Sequence, residues 1–91
     1  MSLSTEEMQI VEAGIQAKHL LDSETFQSAI NALSEQLSSA ILSTQLDDSK
    51  RRENLFMMHS NLVELVNILK QRVMAKDNIE SRENEDTETE V

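Results

Sequence analysis

Leu55-Phe56-Met57-Met58-His59-Ser60-Asn61-Leu62-Val63-Glu64-Leu65-Val66-Asn67-Ile68-Leu69-Lys70-Gln71-Arg72-Val73 is the stretch on which the fold turns. Within it Leu55, His59, Leu62, Val66, Leu69 and Val73 recur in alternating steps of four and three, the repeat of a helix that buries one seam against another helix. Phe56, Met58, Val63, Leu65 and Ile68 widen that face. The pattern predicts an amphipathic helix over 49–77, about 42 Å long at 1.5 Å per residue.

Upstream, Gln45-Leu46-Asp47-Asp48-Ser49 reads as a short polar link whose aspartates can cap the long helix after it. Before it, Phe26, Ile30, Leu33, Leu37 and Ala40 or Ile41 carry the same spacing and predict a helix over 24–44, about 31 Å long. A short link favours antiparallel neighbours. The expected class is therefore all-α, an antiparallel helical hairpin preceded by a short N-terminal helix. The longer helix leaves roughly 10 Å of apolar stripe uncovered around Leu69 and Val73. Either the N-terminal helix or a second copy of the chain must cover it, and the second copy is the expectation, which makes the protein a homo-oligomer.

Ser4-Thr5-Glu6-Glu7 has capping-box spacing and opens a helix expected over 5–21. Its apolar stripe is read as Met8, Val11, Ile15 and His19 or Leu20, with Gly14 weakening the helix by about 1 kcal/mol relative to Ala. Asp22-Ser23-Glu24 then breaks the stripe and starts the next helix. At the other end, residues 78–91 hold six acids, Glu80, Glu83, Glu85, Asp86, Glu88 and Glu90, against Arg82 alone. Such a segment buries too little apolar surface to order itself, so the division expected is a helical domain over 1–77 and a disordered acidic tail over 78–91.

The 91 residues carry a formal charge of −9, with one Gly, no Pro and no Cys, which excludes disulfide scaffolds, zinc ribbons and thiol enzymes. The first residues lack a basic stretch and no apolar run approaches membrane length, so neither a signal peptide nor a membrane span is expected. A helical hairpin offers no Gly-rich phosphate loop, and His19 and His59 lack the helical partners that gather a metal. No catalytic, cofactor or metal site is expected, and the chain is read as no enzyme.

Partner clues are few. The seam residues Leu55, His59, Leu62, Val66, Leu69 and Val73 form the expected self-association interface, with His59 read as an imidazole satisfied by a neighbour and, alternatively, as a pH sensor. Lys50-Arg51-Arg52 is the only basic run. Neutralisation by Asp47, Asp48 and Glu53 competes there with contact to an anion on a partner. At −9 the chain repels a duplex, and autonomous nucleic-acid binding is not expected. Met8, Met57, Met58 and Met74 read as core filler in preference to a soft binding groove. Thr89-Glu90-Val91 fits the ending that carboxylate-capturing peptide domains recognise, although an acidic tail that happens to end in Val is the simpler account.

The run Ala17-Lys18-His19-Leu20-Leu21-Asp22-Ser23-Glu24-Thr25-Phe26, followed by Ala29 and Leu33, by Asp48-Ser49-Lys50-Arg51-Arg52-Glu53-Asn54-Leu55-Phe56, and by Leu62, Val66 and Leu69, resembles a group of short, mostly uncharacterised tailed-bacteriophage helical proteins. The resemblance covers about residues 13–77. It implies a setting in the virion-structure and packaging part of a phage genome, with a host-cytoplasmic or virion-associated location and other phage structural or packaging proteins as partners. Lys50-Arg51 and the acidic tail depart from the group's outline. The uncovered seam together with this resemblance leads to a self-associating head-assembly or DNA-packaging accessory as the expected function, and the −9 charge with its carboxylate-rich tail to the alternative, an acidic inhibitor that mimics DNA charge toward a host nucleic-acid enzyme.

Overall fold

The computed structural model describes residues 3–89, with side chains to Glu85, as three helices: α1 (Thr5–Asp22), α2 (Glu24–Leu42) and α3 (Ser49–Thr89). No strand occurs among the described residues, in keeping with the all-α reading. Helix starts obey the caps in the sequence. The Ser4 amide donates to Glu7 Oε1 at 3.2 Å, and the Glu7 amide donates to Ser4 Oγ at 3.1 Å, closing the capping box. Ser23 alone separates α1 from α2; it is extended, with φ −69° and ψ 122°, and its Oγ accepts from the Phe26 amide at 3.2 Å.

Helix α2 stops at Leu42, two residues before the expected Thr44. The hydroxyl groups just beyond it explain this. Ser43 Oγ donates to the Ser39 carbonyl at 2.8 Å and Thr44 Oγ1 to the Ile41 carbonyl at 2.7 Å, side-chain bonds that compete with helix continuation at carbonyls also accepting the Ser43 and Thr44 amides.

The chain divides into two units. One joins α2 to α3 as far as Asn67. Its core is Leu37 and Leu62, with Phe26, Ile30, Leu55 and Val66 half-buried around them. Ser34 Oγ and His59 Nε2 share a hydrogen bond of 3.3 Å, with the donor set by the imidazole tautomer.

The other unit joins α1 to α3 from Ile68 onward. Leu69 belongs to it and is 8% exposed, so the stripe thought to need a second copy is covered by α1 of the same chain. The face that α1 turns to α3 differs from the expected one. Gly14 and Ala17 are buried, and of the expected stripe Val11 alone is half-buried, whereas Met8, Ile15, His19 and Leu20 are exposed. The reason lies at Gly14: a Cβ built there would fall 2.7 Å from the Arg72 carbonyl oxygen and closer still to Lys76 Cβ. The two backbones approach at a point only Gly allows, and that contact rotates the larger residues of α1 outward.

The expected disordered tail from Asn78 is likewise corrected. Helix α3 continues through Thr89, with Ile79 7% exposed and Lys76 8%. No Gly or Pro interrupts this stretch, Glu propagates helix well, and Ile79 gains burial by continuing it. Arg82 Nη2 also donates to Glu7 Oε2 at 2.5 Å, tying the continued helix to the start of α1. Glu90 and Val91, and with them the C-terminal recognition ending, lie outside the described residues.

Candidate interaction surfaces

The three adjacent bases at the start of α3 do separate jobs. Arg52 Nε donates to Thr44 Oγ1 at 2.9 Å and its Nη2 to the Gln45 carbonyl at 2.6 Å, so this guanidinium staples the turn beyond the C-terminus of α2. A cation there also meets the negative end of the α2 dipole. Arg51 lies 4.0 Å from Asp48, the local neutralisation the sequence suggested, and both groups are largely exposed. Lys50 is exposed. Of the triplet, Arg52 is thus committed to the turn, while Lys50 and Arg51 stand at the surface.

The seam residues are consumed within the chain. Leu62 and Leu69 are buried, and Leu55, His59, Val66 and Val73 are half-buried. A surface for a partner must therefore come from other parts of the helices. The exposed apolar side chains supply it: on α3 Phe56, Met57, Met58, Val63 and Leu65 all stand out, beside a seam that α2 already covers. The methionines are not core filler. Met8, Met57, Met58 and Met74 are each more than half exposed, from 52% to 64%, which puts soft, adaptable side chains where a partner can reach them.

Concave sites give little to small molecules. A depression of about 320 Å³ at the α2–α3 turn is lined by Ser43, Gln45, Asp47, Asp48 and Arg51, and another of about 480 Å³ lies along α2 between Glu24 and Glu35. Neither has the enclosed apolar floor of a ligand pocket. Among the described residues no group of three potential metal ligands gathers, and no helix is long and apolar enough to cross a membrane.

Electrostatics concentrate where α1 meets α3. Glu7 is held below its ordinary value of 4.5, first by the Ser4 amide, then by the Ser4 hydroxyl and Arg82. Lys76 is held above its ordinary value of 10.5, first by its hydrogen bond to Asp77 at 2.9 Å, with burial opposing and Glu80 at 3.3 Å assisting. A depressed carboxylate stabilises the fold above its unfolded pKa, and this contribution is lost as pH falls through the folded one. A raised ammonium stabilises below its unfolded pKa, and this is lost as pH rises through the folded one. The urea midpoint should accordingly decline on the acid side through Glu7 and on the alkaline side through Lys76. Glu7→Gln should flatten the acid limb and Lys76→Met the alkaline limb; limbs that match wild type in both variants would remove these two groups as the cause.

Comparisons of the chain with known protein families, with characterised proteins and with solved structures return no match.

Proposed function

We propose that this chain is a non-enzymatic protein–protein interaction module that self-associates and serves as a head-assembly or DNA-packaging accessory of a tailed phage. The observation that carries the self-association is the imbalance between core and surface. Among the described residues the buried apolar set is Ala17, Leu37, Leu62, Leu69 and Ile79, and no side chain is fully buried, while most large apolar residues of α3 between Phe56 and Leu65 are exposed. A small domain with so thin a core commonly gains the remainder of its stability by association. In this reading α2 and the first part of α3 act as an antiparallel hairpin. Ser34 pairs with His59 and Thr44 with Arg52, so positions rise along one helix as they fall along the other. The phage setting rests on the resemblance over residues 13–77.

The test is absolute mass by light scattering after size exclusion, on the full chain at two concentrations about tenfold apart. The full chain is needed because Ile79 is buried in the unit that α1 forms with the end of α3 and Arg82 bonds to Glu7 of α1. A defined multiple of the 10.3 kDa protomer supports the proposal. A monomer at both concentrations overturns it and leaves the −9 charge, and with it the acidic inhibitor, as the better account.

A further inference from the structure

We infer that the partner of the α2–α3 hairpin is a second copy of this chain, docked on the face that bears Leu33, Met58 and Leu65. The inference rests on the hairpin and self-association proposed above and assigns the surface. Taking buried Leu37 and Leu62 as the seam centres, a rotation of 100° per residue puts Ser34 and His59 about 60° to one side of each. Leu33, Met58 and Leu65 lie about 40–60° to the other side. In an antiparallel pair, equal senses of rotation on the two helices fall on one face of the pair. The Ser34–His59 hydrogen bond marks one such face. Leu33, Met58 and Leu65 therefore share the opposite one, where they are 42%, 54% and 48% exposed.

Three properties of that face fit a copy of itself. First, it is without acids along its length: between the leucines and Met58 stand Gln36, Ala40 and Asn61, the bases Lys50 and Arg51 lie only at its α3 start, and Glu24, Glu35, Glu53 and Glu64 all fall more than about 130° from the seam, on the back of the pair. Depletion of charge from the middle of a patch is the compositional mark of an interface core. Second, two chains of charge −9 repel each other, so they can meet only where the acids are turned away. Third, the dimensions suffice. Two helices about 10 Å apart and roughly 28 Å long present a face of about 600 Å² in projection, close to the roughly 800 Å² per partner of a standard specific interface. The opposite face also carries exposed Phe56 and Val63, but it is broken by Ser34, Ser38 and His59. Two apolar hairpin faces related by a two-fold axis make a four-helix packing, a closed arrangement in which each patch meets its own equivalent.

The absence of Cys makes single-cysteine variants unambiguous reporters. In the full-length chain, Asn61→Cys near the middle of the face should form a covalent dimer under mild oxidation, and Glu64→Cys on the back should do so at least tenfold more slowly. In parallel, Met58→Glu with Leu65→Glu should weaken dimerisation at least tenfold while far-ultraviolet circular dichroism stays helical. Phe56→Glu with Val63→Glu should leave the mass unchanged. If the wild type is monomeric, both this assignment and the self-association fall. If the wild type associates but Glu64→Cys crosslinks faster, or the Phe56 and Val63 pair proves the sensitive one, self-association stands and this face is wrong. Should the Met58 and Leu65 pair unfold, the two cysteine variants decide alone.

Discussion

Gly14→Ala is expected to destabilise the protein by up to about 2 kcal/mol, although by helix propensity alone it would stabilise by about 1 kcal/mol. Ala ordinarily improves a helix interior because Gly loses more backbone freedom on folding. Here the added methyl would meet the Arg72 carbonyl oxygen at 2.7 Å and Lys76 Cβ closer still. Neither is the far end of a flexible side chain, so α1 and α3 must separate to admit it. Overpacking of this kind costs about 1–3 kcal/mol, enough to exceed the propensity gain. Urea melts monitored by circular dichroism, at one fixed protein concentration, read the effect directly. For a domain of this size a loss of 1 kcal/mol lowers Tm by about 4–8 °C. Ala32→Gly supplies the contrast, since Ala32 is exposed inside α2 and its replacement should cost only the propensity difference. A Gly14→Ala variant more stable than wild type would mean that α1 does not lie against α3 at this point.

The same glycine shows how much of the fold could be read in the chain. Periodicity located all three helices, and Ser4, Glu7 and Ser23 marked two of their starts, because caps and repeats are local and act within a few residues. The face of α1 was not legible from apolar residues alone. Its packing is governed by the smallest side chains, Gly14 and Ala17, and close backbone approach outweighs the burial of Ile15. A Gly inside an otherwise helical pattern was the available signal, because such a residue usually has a packing reason. Likewise the single chain resolves the surplus stripe of α3 through α1, since helix lengths alone do not say which segment folds back. The candidate surface was half legible. Arg51 and Arg52 were found by charge, but the commitment of Arg52 to Thr44 and Gln45 depends on how the turn closes. The methionines misled because their spacing tracks the helix without tracking its buried side.

Replacing Ile79 by Ala should cost about 2–4 kcal/mol, the largest single-residue loss expected in the C-terminal part of α3. Composition points the other way, since six acids crowd the stretch from Asn78 onward and acids near a helix C-terminus oppose its dipole. A residue in a solvated tail changes stability by no more than about 0.5 kcal/mol when it is replaced. Ile79, however, is 7% exposed and shares its unit with α1, Leu69 and Lys76, so its removal opens a void against packed neighbours. Asn78→Ala, at an exposed position one residue earlier, is the matched control and should be nearly neutral. The consequence reaches past stability. If Ile79 anchors α3 to α1, losing it frees the cover over Leu69 and Val73, and the stripe so exposed would recruit further copies of the chain. Ile79→Ala should therefore lower the urea midpoint and raise the average mass seen by light scattering at high concentration. A variant with an unchanged midpoint would place Ile79 in a solvated tail and return the covering of Leu69 to a second chain.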